Sequence, residues 1–281
     1  MLYLTGDRFC YTVILHYKYI IYEQEIVMGH PDPIAFTIAG IDIRWYGILI
    51  AAGMLLAVVI SSKRAPGHGL TEDDVLDTCL WMLPIGVIGA RVYYVIFNLD
   101  YYRTLSDMLN IRGGGLAIHG GLIFGAVTVL LVCRHKRIHP LNMMDLMIPT
   151  VALAQSIGRW GNFFNGEAHG GPTDLPWGIL VDGVKVHPTF LYESIWCLLL
   201  FIFLSWWDRN KRTAYGQTFA LYCILYSAER FCVEALRTDS LMIGPFKQAQ
   251  VISICAAAAG IVLFLYSRSH FPVSGSDRAA N

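Results

Sequence analysis

The sequence predicts an all-α integral membrane protein, a bundle of about seven transmembrane helices with an ordered extracytoplasmic loop region. Three observations predict it. Of 281 residues, 55% are hydrophobic and only 15% charged, against roughly 25% charged in an average soluble domain. Seven apolar runs are each long enough, at about 20 residues, to cross about 30 Å of hydrocarbon. Lys and Arg gather in alternate connections between these runs, the pattern expected where cationic loops resist translocation. The charges balance, 21 basic against 21 acidic, which excludes a nucleic-acid binder held by bulk charge and an acidic disordered tail. Partners are therefore sought in lipid.

Along the chain, residues 1–27 contain five Tyr and a short apolar run broken by His16 and Lys18. No signal-peptide core of adequate length is evident, and Met28 reads like a natural start, so 1–27 are read as an N-terminal extension or a mis-called start and 28–42 as an extracytoplasmic segment. The spans are expected at 43–62, 75–97, 116–133, 143–160, 189–207, 215–236 and 248–267. Together they make a membrane domain over 43–267, including an extracytoplasmic loop at 161–188, with a polar cytoplasmic tail at 268–281. The cationic connections hold Lys63 and Arg64, then Arg134, Lys136 and Arg137, then Arg209, Lys211 and Arg212, then Arg268. The opposite side has longer loops with fewer positive charges: Arg103, Arg112, Lys185, Arg237 and Lys247. This predicts a multi-pass protein with the N-terminus outside and the C-terminus in the cytoplasm. The seven Cys, at 10, 79, 133, 197, 223, 232 and 255, form no CxxC pair and no metal-ligand set, and read as helix-packing residues.

Ionisable groups inside spans are costly and mark functional candidates. In this topology almost all of Tyr46, His119, Arg159, His187, Glu193, Arg230, Glu234 and Arg237 fall at one level, the outer half of the membrane. A transporter would more naturally put them at the midplane of an inverted repeat, and no repeat is visible. Arg230, Glu234 and Arg237 stand at i, i+4 and i+7 on one helical face, which fits an internal ion-pair ladder and a substrate site equally. Arg91, in GARVYYV, is expected to bind backbone carbonyls or a carboxylate such as Glu193 rather than take part in chemistry. His119 sits between small residues that allow close approach of helices or of a lipid head group. Gly158 to Gly171, GRWGNFFNGEAHGG, carries Arg159, Asn162, Asn165, Glu167 and His169 and is expected to leave the fourth span as an ordered loop lining a cavity.

These motifs together resemble the prolipoprotein diacylglyceryl transferases of bacterial membranes. The resemblance runs from about Pro33 to Tyr266. Its most specific element is GRWGNFFNGEAHG, supported by RWYG at 44–47, GARVYYV at 89–95, HGGLIFG at 119–125, HPTFLYE at 187–193 and RFCVEALR at 230–237. It implies a seven-span enzyme of the bacterial cytoplasmic (inner) membrane, its site opening to the outer leaflet. That enzyme moves the diacylglyceryl group of phosphatidylglycerol to the lipobox Cys thiol of a preprolipoprotein and releases glycerol phosphate. The family's important positions fall on Tyr46, His119, Arg159, Asn162, Glu167, Gly170, Arg230, Glu234 and Arg237, Arg159 matching its lipid-contacting arginine. Phe163-Phe164 and Ala235-Leu236 are apolar positions that vary.

The implied chemistry suits these residues. A thiol of pKa about 8.5 is mostly protonated at neutral pH, and a neutral His119 can accept its proton. Arg159 and Arg230 suit a leaving phosphate that gains charge, because a planar guanidinium binds phosphate with two parallel bonds. Tyr46 and Asn162 are expected to hydrogen-bond the phosphate or head-group glycerol, with Gly170 beside the lipid. Glu167 and Glu234 are expected to orient arginines, and His187, Arg237 and Arg91 to support the site. No cofactor or metal is called for. Two rivals stand beside this reading: a lipid or small-molecule transporter, which would yield no covalent product, and an intramembrane protease using Ser156, which would cleave its substrate.

Overall fold

Each of the seven apolar runs becomes a long helix in a computed structural model, which describes residues 31–111, 114–238 and 240–273. The helices are α1 (Trp45–Arg64), α2 (Glu72–Ile96), α4 (Ile118–Lys136), α5 (Pro140–Asn165), α6 (Thr189–Asn210), α7 (Gln217–Leu236) and α8 (Gln248–His270), with a five-residue α3 (Leu105–Leu109) between α2 and α4. Residues 1–27 lie outside the described residues, as does the tail from 274. Five of the long helices are apolar enough, by length and composition, to cross a membrane: those beginning at Trp45, Glu72, Ile118, Thr189 and Gln248. The other two, α5 and α7, carry Asp145 and Arg159, and Glu229, Arg230 and Glu234. Their polarity follows from position: α5 packs against α1, α6 and α7, so its charged groups meet protein rather than lipid.

Successive long helices run antiparallel. Gly53 of α1 meets Ala154 of α5 while Tyr46 meets Gly161, and Gly86 and Gly89 of α2 meet Gly121 and Gly120 of α4. At the last contact a Cβ on Gly120 would lie 2.3 Å from the carbonyl oxygen of Gly89, so only glycine permits this approach. The alternation gathers the three long connections at one end of the bundle and the three short ones, with the cationic residues, at the other.

The ordered loop region expected outside the helices contains short strands. Three two-stranded antiparallel hairpins occur: β1–β2 (Ile34–Ile38, Ile41–Arg44), β3–β4 (Ile179–Val181, Val184–Val186) and β5–β6 (Met242–Ile243, Phe246–Lys247). All lie at the long-connection end, outside the helices, where backbone groups no longer satisfied within a helix pair with one another. One correction concerns GRWGNFFN. It is not loop but the last two turns of α5, which ends at Gly166 in a left-handed conformation (φ +67°), with the Glu167 N–H donating to the Asn162 carbonyl at 3.0 Å.

The short-connection end is tied by a buried polar knot. Asp208 accepts from Arg64 (2.7 Å) and Thr218 (2.9 Å) and meets His68 Nε2 at 2.7 Å. Asp145, fully buried on α5, accepts from the backbone N–H groups of Gly216 (2.6 Å) and Phe219 (2.8 Å), capping α7 from a neighbouring helix. An apolar cluster of Ala65, Val75, Cys79, Val129, Cys133, Met143 and Leu146 joins α1, α2, α4 and α5 at this end. The six described cysteines are free thiols, three of them buried.

Arg91 organises the connection between α2 and α4. Its guanidinium donates to four carbonyls, Asp107 (2.8 Å), Met108 (2.8 Å), Gly114 (2.7 Å) and Gly115 (3.0 Å), and stands 5.1 Å over the Tyr102 ring. Of the two partners expected for it, carbonyls are present and Glu193 is not. Arg91→Lys keeps the charge but loses the fork, so the segment between α2 and α4 should be cut roughly tenfold faster in limited proteolysis while helix content by circular dichroism is unchanged.

Candidate active site

At the long-connection end, the last turns of α5 and α7 and the first turn of α6 converge. Arg159 of α5 pairs with Glu193 of α6, and the other oxygen of Glu193 accepts from Arg230 of α7 at 2.7 Å. Arg230 also donates to Glu234, one helical turn on, at 2.5 Å. The result is an alternating ladder, Arg159–Glu193–Arg230–Glu234, in which one carboxylate bridges two helices. Arg159 donates further to the Tyr226 hydroxyl at 3.2 Å.

Exposure separates the two kinds of partner. The Glu193 and Glu234 side chains are only 2% and 3% exposed, whereas those of Arg159 and Arg230 keep 21% and 18%. The arginine side chains thus stay partly exposed beside buried anions, and an anionic ligand needs cations it can approach.

Neighbouring elements hold this ladder in place. The Gly170 N–H donates to the His187 carbonyl at 2.9 Å, and the Gly171 N–H to Leu236, also at 2.9 Å, so the loop after α5 is stitched to the start of α6 and the end of α7. A Cβ on Gly170 would lie 2.7 Å from that of His187, so this junction admits only glycine. Lys247 donates to the carbonyls of Glu234 (2.7 Å) and Arg237 (2.8 Å), a cation closing the C-terminus of α7.

The structure thus joins Arg159, Arg230 and Glu234 in one network, with Gly170, His187 and Arg237 in its backbone frame. Asn162 stands at i+3 from Arg159 on α5, on the same side of the helix, and Tyr46 lays its ring against Gly161. His119 begins α4 beside α2, its ring 6.2 Å from that of Tyr93. Among the described residues, Tyr46, His119 and Asn162 make no hydrogen bond to either arginine.

Glu167 departs from expectation. It is exposed and accepts from the Asn165 amide at 3.0 Å, while the carboxylates that hold the arginines are Glu193 and Glu234. Ser156 is equally unlike a nucleophile. It is buried and donates to the Ser194 carbonyl at 2.8 Å, within a helix contact. Sequence reasoning missed the bridging role of Glu193, the Tyr226 contact and the Lys247 clamp. The readable signal for Glu193 was its depth, level with both arginines.

Fold and site define a polytopic membrane protein with a guanidinium cluster at one end. Residues 33–266 match the family model described as prolipoprotein diacylglyceryl transferase, and the chain belongs to that family. A phosphatidylglycerol–prolipoprotein diacylglyceryl transferase of Clostridioides difficile (strain 630) is 55% identical over 236 residues, covering 84% of this chain and 95% of that protein. One from Finegoldia magna is 50% identical, covering 83% and 94%; one from Staphylococcus epidermidis is 42% identical, covering 87% and 92%.

Removing the bridging charge should be felt twice. Glu193→Ala leaves two guanidiniums short of a partner, so the detergent-solubilised protein should lose about 3 kcal/mol of stability, read as a lowered thermal midpoint. Transferase activity should fall by about 100-fold as the arginines lose their geometry.

Proposed function

We propose that this chain transfers the diacylglyceryl group of phosphatidylglycerol to the lipobox cysteine thiol of a preprolipoprotein, forming a thioether and releasing glycerol phosphate. The observation that carries this reading is the ladder itself, two reachable guanidiniums over two buried carboxylates. Family membership supplies the reaction class, and the ladder supplies a place for the lipid phosphate.

In this reading the thiol sulfur attacks the sn-3 carbon of the diacylglycerol. The S–C bond forms as the C–O bond to phosphate breaks, and the electron pair stays on the phosphate oxygen. Arg159 and Arg230 face that oxygen, where charge develops, and so favour the transition state over the ground state. His119 accepts the thiol proton. Tyr46 and Asn162 hydrogen-bond the phosphate or the head-group glycerol. Glu193 and Glu234 hold the arginines, and Gly170, His187 and Arg237 fix the frame. Arg91 shapes the connection between α2 and α4, and Glu167 the turn after α5. The site faces outward from the bacterial cytoplasmic membrane, with the N-terminus outside and the C-terminus in the cytoplasm, because the cationic connections all lie at the opposite end. A reporter fused after Gly170 should therefore be active outside; a cytoplasmic signal overturns this orientation.

Membranes containing the protein, incubated with phosphatidylglycerol and a lipobox peptide, should yield a peptide heavier by one diacylglyceryl group. Arg159→Ala and His119→Ala should lower the yield about 100-fold while the protein remains inserted, and Arg159→Lys should be impaired because charge without the planar fork does not reproduce the contact. Full activity in the first two variants overturns the assignment of those residues. An unmodified peptide with lipid movement would support a transporter instead.

A further inference from the structure

One buried acid beside the ladder takes no part in the mechanism. Glu229 lies on α7 immediately before Arg230, is 8% exposed, and neither of its carboxylate oxygens meets a hydrogen-bond partner among the described residues. It shares a helical face with Tyr222 and Tyr226, seven and three residues earlier. Tyr226 receives the Arg159 hydrogen bond, so this face is turned toward the ladder. Glu229 interacts electrostatically with Glu193, Arg159 and Arg230 and with Cys197 one turn deeper on α6.

The charge count makes this position unusual. Arg159 and Arg230 are already matched by Glu193 and Glu234. A charge on Glu229 would be a third buried anion with no cation of its own. The other groups on this side are neutral: Cys197 from α6, and Tyr222 and Tyr226 from α7, Tyr222 donating to Gln155 of α5. α8, which packs against α7, brings no carboxylate or cation to this level, its Arg268 and His270 lying at the far end.

We propose that Glu229 is a positioning residue whose charge state sets the affinity of the arginine cluster for the anionic head group. The uncharged carboxyl admits the phosphate, and ionisation places a negative charge beside the same guanidiniums and opposes it. This rests on the phosphate-binding reading of Arg159 and Arg230. The lipid phosphodiester stays monoanionic across the working range, so a pH dependence of its binding belongs to the protein.

The test is KM for phosphatidylglycerol between pH 6 and 9, at saturating lipobox peptide, with the full-length protein in detergent. In the native protein KM should rise about tenfold with pH, whereas in Glu229→Gln it should stay near the low-pH value. The pH dependence of kcat, governed by the thiol and its base, should be shared by both. Glu229→Met provides the same uncharged state should the amide misfold. A KM that is flat in the native protein, or that still rises in both variants, overturns the proposal. So does a uniform fall in kcat with KM unchanged, which marks a packing role. Absence of adduct at every pH removes the transferase reading and this inference with it; adduct formation with an unchanged KM profile removes the inference alone.

Discussion

The bridge made by Glu193 between Arg159 and Arg230 is the interaction on which the long-connection end depends. A carboxylate taken out of water gains stability only when its partners are close and well oriented, and here the partners come from two other helices. The pair is thus a register device: α5, α6 and α7 satisfy it only at one relative depth and rotation. The backbone bonds from Gly170 to His187 and from Gly171 to Leu236 hold the same three elements in the same register from outside the bundle. Lys247 extends the arrangement to α8 by closing the end of α7.

Both ends of the bundle bury carboxylates against cationic partners. At the short-connection end Asp208 is shared by Arg64, His68 and Thr218, and Asp145 caps α7. Arg64 keeps 20% of its side chain exposed there, and an apolar cluster packs α1, α2, α4 and α5 together around the knot. At the other end the carboxylates are buried and both arginine partners stay partly exposed. A rigid base with a partly open cap is what a site needs if lipid and peptide must enter while the charged groups keep their positions.

Hydropathy found the helices because a span of about 20 apolar residues is a one-dimensional property. Depth was legible for the same reason, and it put Glu193 level with both arginines. Azimuth was not, since it depends on which helices are neighbours. Glu193 was therefore offered to Arg91, whose guanidinium in fact points to four loop carbonyls. The length of α5 was misread because Asn and Gly look like loop residues, although Arg159, Asn162 and Trp160 remain helical as far as Gly166. The hairpins were missed because windows of 20 residues average them away. Asp182-Gly183, both at positive φ between two short β-branched runs, carries a two-residue turn signal that a shorter window would have read.

The pairing of each guanidinium with a carboxylate also bears on how the ladder would act on a phosphate. A lone buried arginine would grip the phosphodiester of the incoming lipid firmly, and tight ground-state binding does not speed the chemical step. In the ladder, Glu193 and Glu234 already satisfy part of each fork, so a phosphate carrying one charge competes for the rest on modest terms. In the proposed reaction, as the C–O bond breaks, the departing phosphate would gain charge and become a better partner than it was on arrival. In the proposed reaction the carboxylates would thus moderate binding of the substrate more than binding of the transition state, the differential that catalysis requires. The same balance favours product release, because the guanidiniums return to carboxylates that never left their helices.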